Sequence, residues 1–292
     1  MIFRRPQNMQ ELALVLSLRE DGRRIAAGCT DILPQKLGKS WEAAGIRSLL
    51  DITAVEELKQ IRLQPAEDGG TDLLIGAACT HAQIAEDLIV QQHFPALAQA
   101  CGGVGSVQIR NRGTIGGNIA NASPAADTVP PLMAFGASAL LLNGSGALRG
   151  VPLDALIEGP GRLTLEKDEC IAYLRCALPK EGARVVSAFA KLGDRDAVTI
   201  ARISLAVCAG LEEGALRDVR CVLGATGRKA FRSIRGEHAL EGAPADALAG
   251  LAECFADALA EDIAASIPGR GTLAYKRLAV RGVACEVLNR LI

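Results

Sequence analysis

The chain has 292 residues, 49% of them hydrophobic and 22% charged, and its 32 basic and 33 acidic side chains leave a net charge of −1. This composition excludes a disordered chain and is long enough to bury an ample core without staples. Near-neutrality gives no electrostatic footprint for nucleic acid or an anionic membrane, and no segment approaches the roughly 18 apolar residues of a membrane span. The nine cysteines, at positions 29, 79, 101, 170, 176, 208, 221, 254 and 285, are odd in number and contain no CxxC pair. They read as reduced, mostly buried thiols in a cytoplasmic protein, without the spacing of a zinc or iron–sulfur site. The start, MIFRRPQNMQELALVLSL, lacks the apolar run of a signal peptide.

In chain order, Asn8 followed by Glu11 predicts a capped helix carrying Leu12, Val15 and Leu16. Arg24 to Ala27 reads as a short strand ending in the tight turn Gly28-Cys29-Thr30-Asp31, with a short helix over 32–36. Strands are expected at 48–52, 61–63 and 73–77. Thr80 with Gln83 starts a second capped helix, and 95–101 a third, which runs into a glycine-rich loop from Gly102 to Gly117. Pro130 and Pro131 suit the first turn of a helix reaching Ala134 or Phe135. A strand follows at 139–142, a loop at Gly159-Pro160-Gly161, and a strand at 171–178 closed by Pro179. Beyond about residue 180 the texture changes. Antiparallel strands are expected at 185–192, 203–211 and 216–223, the last two joined at Glu212-Glu213-Gly214, and the alanine-rich tail from about Ala245 is helical.

The chemically informative segment is Thr114 to Asp127, TIGGNIANASPAAD. Adjacent Gly116 and Gly117 let backbone approach a ligand closely, and amides in such a turn can form a nest for oxyanions. Thr114, Asn118 and Ser123 add neutral hydrogen-bonding groups, and Asp127 suits a ribose or ribityl hydroxyl. A second bend of small residues, Ala27-Gly28-Cys29-Thr30-Asp31, has the same character. Two such bends closing on one pyrophosphate need no lysine, because aligned amides supply the positive end. The bland alternative is that both are ordinary turns. Gly103-Val104-Gly105-Ser106-Val107-Gln108 lacks the third glycine of a dinucleotide fingerprint, and Gly224-Ala225-Thr226-Gly227-Arg228-Lys229 has the wrong spacing for a phosphate-binding P-loop. His81, His93 and His238 are far apart, so surface or core roles are the default reading for them.

Taken in order, AGCTDILPQ, QIRNRGTIGGNIANASPAADTVPPLMAFGA, Gly159-Pro160-Gly161-Arg162, Phe189, Lys191 with Arg195, and Tyr275-Lys276-Arg277 resemble the FAD-binding medium subunit of the xanthine dehydrogenase and carbon monoxide dehydrogenase family of molybdenum hydroxylases. The resemblance spans nearly the whole chain. It implies an α+β fold: a two-part FAD-binding domain of the vanillyl-alcohol-oxidase (PCMH) type over 1–180, with subdomains of about 1–57 and 58–180, then a smaller domain over 181–292 with an antiparallel sheet and helices. It implies non-covalent FAD. Ile25, Ala26, Ala27, Gly28, Cys29, Thr30, Asp31 and Ile32, with Thr114, Ile115, Gly116, Gly117 and Asn118, would cradle the pyrophosphate. Val104 would lie by the adenine, Ser123 and Asp127 would hold hydroxyls, and Leu174 and Lys191 would flank the isoalloxazine. No catalytic or metal-ligating residue is implied.

The same resemblance implies partners: an iron–sulfur subunit that delivers electrons, a molybdenum-cofactor subunit that hydroxylates the substrate, and NAD or another acceptor. One departure stands out. The family pattern AGGTD has glycine where this chain has Cys29; if that position needs φ > 0, a Cβ costs about 1 kcal/mol. Two other readings stay open on the sequence: a free-standing flavoprotein oxidoreductase, for which no acid–base pair stands out, and a scaffold that has lost its flavin.

Overall fold

The computed structural model describes residues 1–36, 38–41, 43–195 and 198–291. The first elements are β1 (Ile2–Arg4), α1 (Met9–Ser17), β2 (Arg23–Ala26), α2 (Ile32–Lys36) and β3 (Ser48–Asp51). Their strands make a parallel sheet in the order β1-β3-β2. The cap expected at α1 is present: Asn8 Oδ1 accepts from Glu11 N at 2.9 Å, and Glu11 reaches back to Gln7 N. Leu12, Ala13 and Leu16 turn inward and pack with Leu50, Ile52, Val55 and Leu58. Strand β1, three residues long and largely exposed, has no alternation for a sequence reading to detect.

The second layer begins with β4 (Ile61–Pro65) and β5 (Thr71–Gly76), followed by the short helices α3 (His81–Glu86), α4 (Leu88–His93), α5 (Pro95–Gly102), α6 (Val107–Arg110), α7 (Ile115–Ala120) and α8 (Val129–Ala134). Then come β6 (Ser138–Asn143), β7 (Leu148–Pro152), α9 (Leu153–Leu156), the hairpin β8 (Ile157–Gly159) and β9 (Arg162–Leu163), and β10 (Glu169–Ala177). The strands form a five-stranded sheet in the order β4-β5-β10-β6-β7, antiparallel throughout. Central β10 is buried on both faces: Ala172 and Tyr173 pack with α1 and β3, whereas Ile171, Leu174 and Cys176 pack under the helices. That two-sided burial explains its nearly continuous apolar run.

The segment 102–117 departs from the expected open loop, because it contains α6 and the start of α7. Each short helix is begun by a hydroxyl: Ser106 Oγ accepts from Ile109 N at 3.3 Å, and Thr114 Oγ1 from Gly117 N at 3.2 Å. The glycines hide these helices from a propensity argument. Packing overrides it, since a Cβ on Gly116 would lie 2.5 Å from the Ala77 side chain, so only glycine lets α7 settle on the end of β5.

The third layer comprises β11 (Arg184–Leu192), β12 (Ile203–Glu212), β13 (Ala215–Gly224) and β14 (Phe231–Arg232), an antiparallel sheet in that order, followed by α10 (Ile234–Leu240), α11 (Ala252–Ser266) and α12 (Leu273–Leu291). The period-2 pattern divides its faces. Ala188, Ala190, Leu205 and Val207 meet α11 and α12, whereas Phe189, Ala206 and Val222 join the core under α5 and α8. Strand β11 is the sheet's edge, yet α5 covers it: Gln99 Oε1 accepts from Phe189 N at 2.7 Å, and Ser187 Oγ from Ala96 N at 3.2 Å. Among the described residues no helix is long and apolar enough to cross a membrane.

Gln99 therefore satisfies a strand amide that would otherwise be orphaned, and it fixes where Lys191 emerges. Gln99→Leu is expected to lower unfolding free energy in urea by about 1–3 kcal/mol; an unchanged denaturation midpoint would show that the tie contributes nothing.

Candidate functional site

Strand β2 delivers the chain to a cleft of about 860 Å³ between the parallel sheet and α7. From the first bend, Ile25, Ala27, Gly28, Cys29, Thr30, Asp31 and Ile32 line it; from the second region come Val104, Thr114, Gly117 and Asn118. What joins the bends is backbone. A Cβ on Gly28 would lie 1.9 Å from the Arg112 carbonyl oxygen and 3.0 Å from Gly113 Cα, so glycine is required by close approach.

The bends differ in what they offer. The amides of Gly28, Cys29, Thr30 and Asp31 meet no acceptor among the described residues, while Cys29 O accepts from Leu33 N at 3.3 Å. Cys29 sits at φ +60°, the left-handed conformation that glycine would adopt without strain. Consecutive unpaired amides around a left-handed residue make an anion nest. The same expectation for the second bend is corrected. Ile115 N donates to Cys79 O, Gly116 N to Ala77 O, Gly117 N to Thr114 Oγ1 and Asn118 N to Thr114 O. Capping and strand contacts have consumed those amides. That region instead presents side chains and the bare surface of exposed Gly117. Asn118 Oδ1 accepts from Thr128 Oγ1 at 2.7 Å, which leaves its amide nitrogen as the free donor.

Asp127 and Lys191 are not among the residues that line this cleft; they pair with each other, Asp127 Oδ2 lying 2.5 Å from Lys191 Nζ. Lys191, carried by β11, also donates to Gly103 O at 2.8 Å, beside Val104. Asp127 is 7% exposed, and its Oδ1 is sealed without a partner. Burial raises the Asp127 carboxyl against the downward pull of Lys191. An unsatisfied buried acceptor of this kind is uncommon in a folded protein. Ser123 is half-buried, its Oγ accepting from Ala125 N at 3.2 Å. Ala26, Ile115, Gly116 and Leu174 are buried, and Leu174 at 0% exposure backs the cleft from within the core rather than lining it.

Several lining residues carried no sequence signal. Leu163, Leu165 and Glu169 enter from the approach to β10, where Arg149 grips Glu169 through two bonds of 2.6 and 2.7 Å and Arg23 donates to Lys167 O at 2.6 Å. His81, the first residue of α3, lines the cleft while 2% exposed. Burial, with Arg110 nearby, lowers its imidazole to about 4. The Cys29 thiol is raised by burial and by Asp51, which disfavours a reactive thiolate. All nine cysteines are free.

A profile described as "FAD binding domain in molybdopterin dehydrogenase" matches residues 2–180. The chain is 32% identical over 270 residues to the xanthine dehydrogenase FAD-binding subunit of Escherichia coli O157:H7, covering 92% of this chain and 88% of that one. It is 29% identical to the nicotinate dehydrogenase FAD-subunit of Eubacterium barkeri, over 96% of this chain and 92% of the other. A solved carbon monoxide dehydrogenase from Hydrogenophaga pseudoflava superposes over 100% of this chain and 96% of that chain, with a TM-score of 0.81 and 26% identity.

Two outcomes follow from the site. Cys29→Gly removes the left-handed strain and is expected to stabilise the apoprotein by about 1 kcal/mol in chemical denaturation; destabilisation would show that the side chain contributes more than its backbone costs. The His81 value lies below the ordinary 6.5. The unfolded chain therefore takes up a proton before the folded one, and stability is lost as pH falls from about 6.5 towards about 4. His81→Leu is expected to flatten that part of the stability–pH curve, and an unaltered slope would contradict the assignment.

Proposed function

Because the chain belongs to the family of FAD-binding domains in molybdopterin dehydrogenases, we propose that it works as the FAD-carrying electron-transfer subunit of a molybdenum hydroxylase complex, receiving electrons from an iron–sulfur subunit and passing them to NAD or another acceptor. FAD, when bound, supplies a carrier able to take electrons singly and release them in pairs. The observation that carries the reading is the first bend, whose unpaired amides lie directly across the Gly28–Arg112 contact from the TIGGN segment.

In this reading the amides of Gly28 to Asp31 hold the diphosphate, with the Thr30 hydroxyl and the Asn118 amide as neutral donors. Gly117 leaves room where any side chain would intrude. Asp127 Oδ1 accepts from a sugar or ribityl hydroxyl, and Ser123 stands on the same segment. Val104 offers an apolar surface to the adenine. Lys191, neutralised on one side by Asp127, holds positive charge near the polar edge of the isoalloxazine, and Leu174 supports that wall from behind. The cofactor-binding part is taken as 1–180, with subdomains of about 1–57 and 58–180, and 181–292 as the smaller part that contributes Lys191. Substrate hydroxylation belongs to a separate molybdenum subunit, and the reduced thiols suit a cytoplasmic complex.

The purified chain is expected to show oxidised-flavin absorbance near ~450 nm, as prepared or after adding FAD, and to co-purify with an iron–sulfur and a molybdenum subunit when expressed with its native partners. A colourless protein that ignores added FAD would contradict the cofactor assignment, and substrate hydroxylation by the isolated chain would contradict the division of labour.

A further inference from the structure

We propose that His81 is a cofactor-binding residue, donating a hydrogen bond from Nε2 to the diphosphate of the bound dinucleotide. The proposal rests on FAD occupying the cleft described above.

Its first support is placement. The His81 amide donates to Gly113 O at 3.0 Å, and Thr80 pairs with Thr114 in an isolated bridge, so the start of α3 is bound to the 112–114 segment. The same segment receives Gly28 in the contact between the bends. A Cβ on Gly113 would lie 3.2 Å from His81 Cδ2 and 3.6 Å from Nε2, so this edge of the imidazole lies against Gly113. The ring thus forms part of the cleft wall immediately beside the point where the two bends meet.

The second support is chemical. His81 Nδ1 is sealed from solvent and has no hydrogen-bond partner, and no protein acceptor engages Nε2 among the described residues. Buried histidines are normally satisfied. A neutral imidazole has one donor and one acceptor nitrogen. Sealing an N–H without a partner is the rarer arrangement, so the proton belongs on Nε2 and the bare lone pair on Nδ1. The result is a neutral donor at the cleft with nothing in the protein to receive it. As packing alone, a leucine would fill the position without stranding a nitrogen. Arg110, which donates to Val104 O and Gly105 O at 3.2 Å each, brings positive charge close to the ring, and a diphosphate beside His81 would be attracted by it.

The test is FAD binding to the full-length apoprotein, followed by quenching of flavin fluorescence, for the wild type, His81→Leu and His81→Gln, with ³¹P NMR of the bound FAD and the apoprotein melting temperature at pH 7. His81→Leu is expected to weaken FAD binding about tenfold or more and to shift the ³¹P resonances, while its apoprotein melts at or above the wild-type temperature. His81→Gln, whose side-chain amide reaches towards the position of Nε2, is expected to recover part of the affinity. FAD affinity within about twofold of wild type, with unshifted ³¹P resonances, overturns the proposal. Should His81→Leu fail to fold, ¹⁵N-histidine spectra of the wild type decide: an Nε2 resonance that moves on adding FAD supports the bond, and one that stays put overturns it. A wild type that binds no FAD is seen before any variant is compared, and it removes the cofactor reading itself.

Discussion

The site depends on one steric constraint: the main chain at Gly28 rests on the main chain at Arg112 and Gly113, with no room for a Cβ between them. This contact docks the end of a parallel strand from the first layer against a loop inserted between two strands of the second. It brings together two bends distant in the sequence, and Gly28 and Gly113 both line the cleft. Everything proposed for ligand binding, from the unpaired amides of Gly28 to Asp31 to the imidazole of His81, is positioned relative to this crossing.

The two sides of the crossing are built on opposite principles. The first bend keeps its amides free and tolerates a left-handed cysteine. The second spends its amides on Cys79 O, Ala77 O and Thr114, and so becomes a rigid wall anchored to the end of β5. Open main-chain donors facing a wall whose amides from Ile115 to Asn118 are already engaged give a ligand one electrostatic anchor and one steric guide. The third layer adds a fixed positive group: Gln99 and Ser187 hold the edge strand β11 against α5, so that Lys191 meets Asp127 and Gly103 O at a defined place.

Much of this was legible in the sequence because its signals are local. Asn8 with Glu11 and Thr80 with Gln83 announce capped helix starts, and both caps are formed. The runs after Pro179 become β11 to β13, whose β-branched and apolar residues divide between two packed faces over their most buried stretches, while the end of β13 nearer its turn carries exposed Arg217 and Asp218. Other features are tertiary and left no local trace. The helices α6 and α7 are hidden by glycines whose purpose is close packing, visible only when Ala77 is seen against Gly116. The difference between the two bends lies in which carbonyls face their amides, and periodicity does not report that. For His81 the sequence supports only a surface or core role, whereas the sealed, unpartnered Nδ1 that sets it apart is a tertiary feature. Leu174 reads equally well as a core residue or a ring contact, and burial on the central strand places it in the core.

The most direct measurement is the set of backbone ¹H–¹⁵N resonances of the full chain before and after adding FAD. Hydrogen bonding to a diphosphate moves amide protons downfield, so the account requires large shifts at Gly28, Cys29, Thr30 and Asp31 and small ones at Ile115 to Asn118, whose amides already have acceptors. Large shifts confined to Ile115–Asn118, with the first bend unmoved, would place the anion on the other side of the crossing and contradict it.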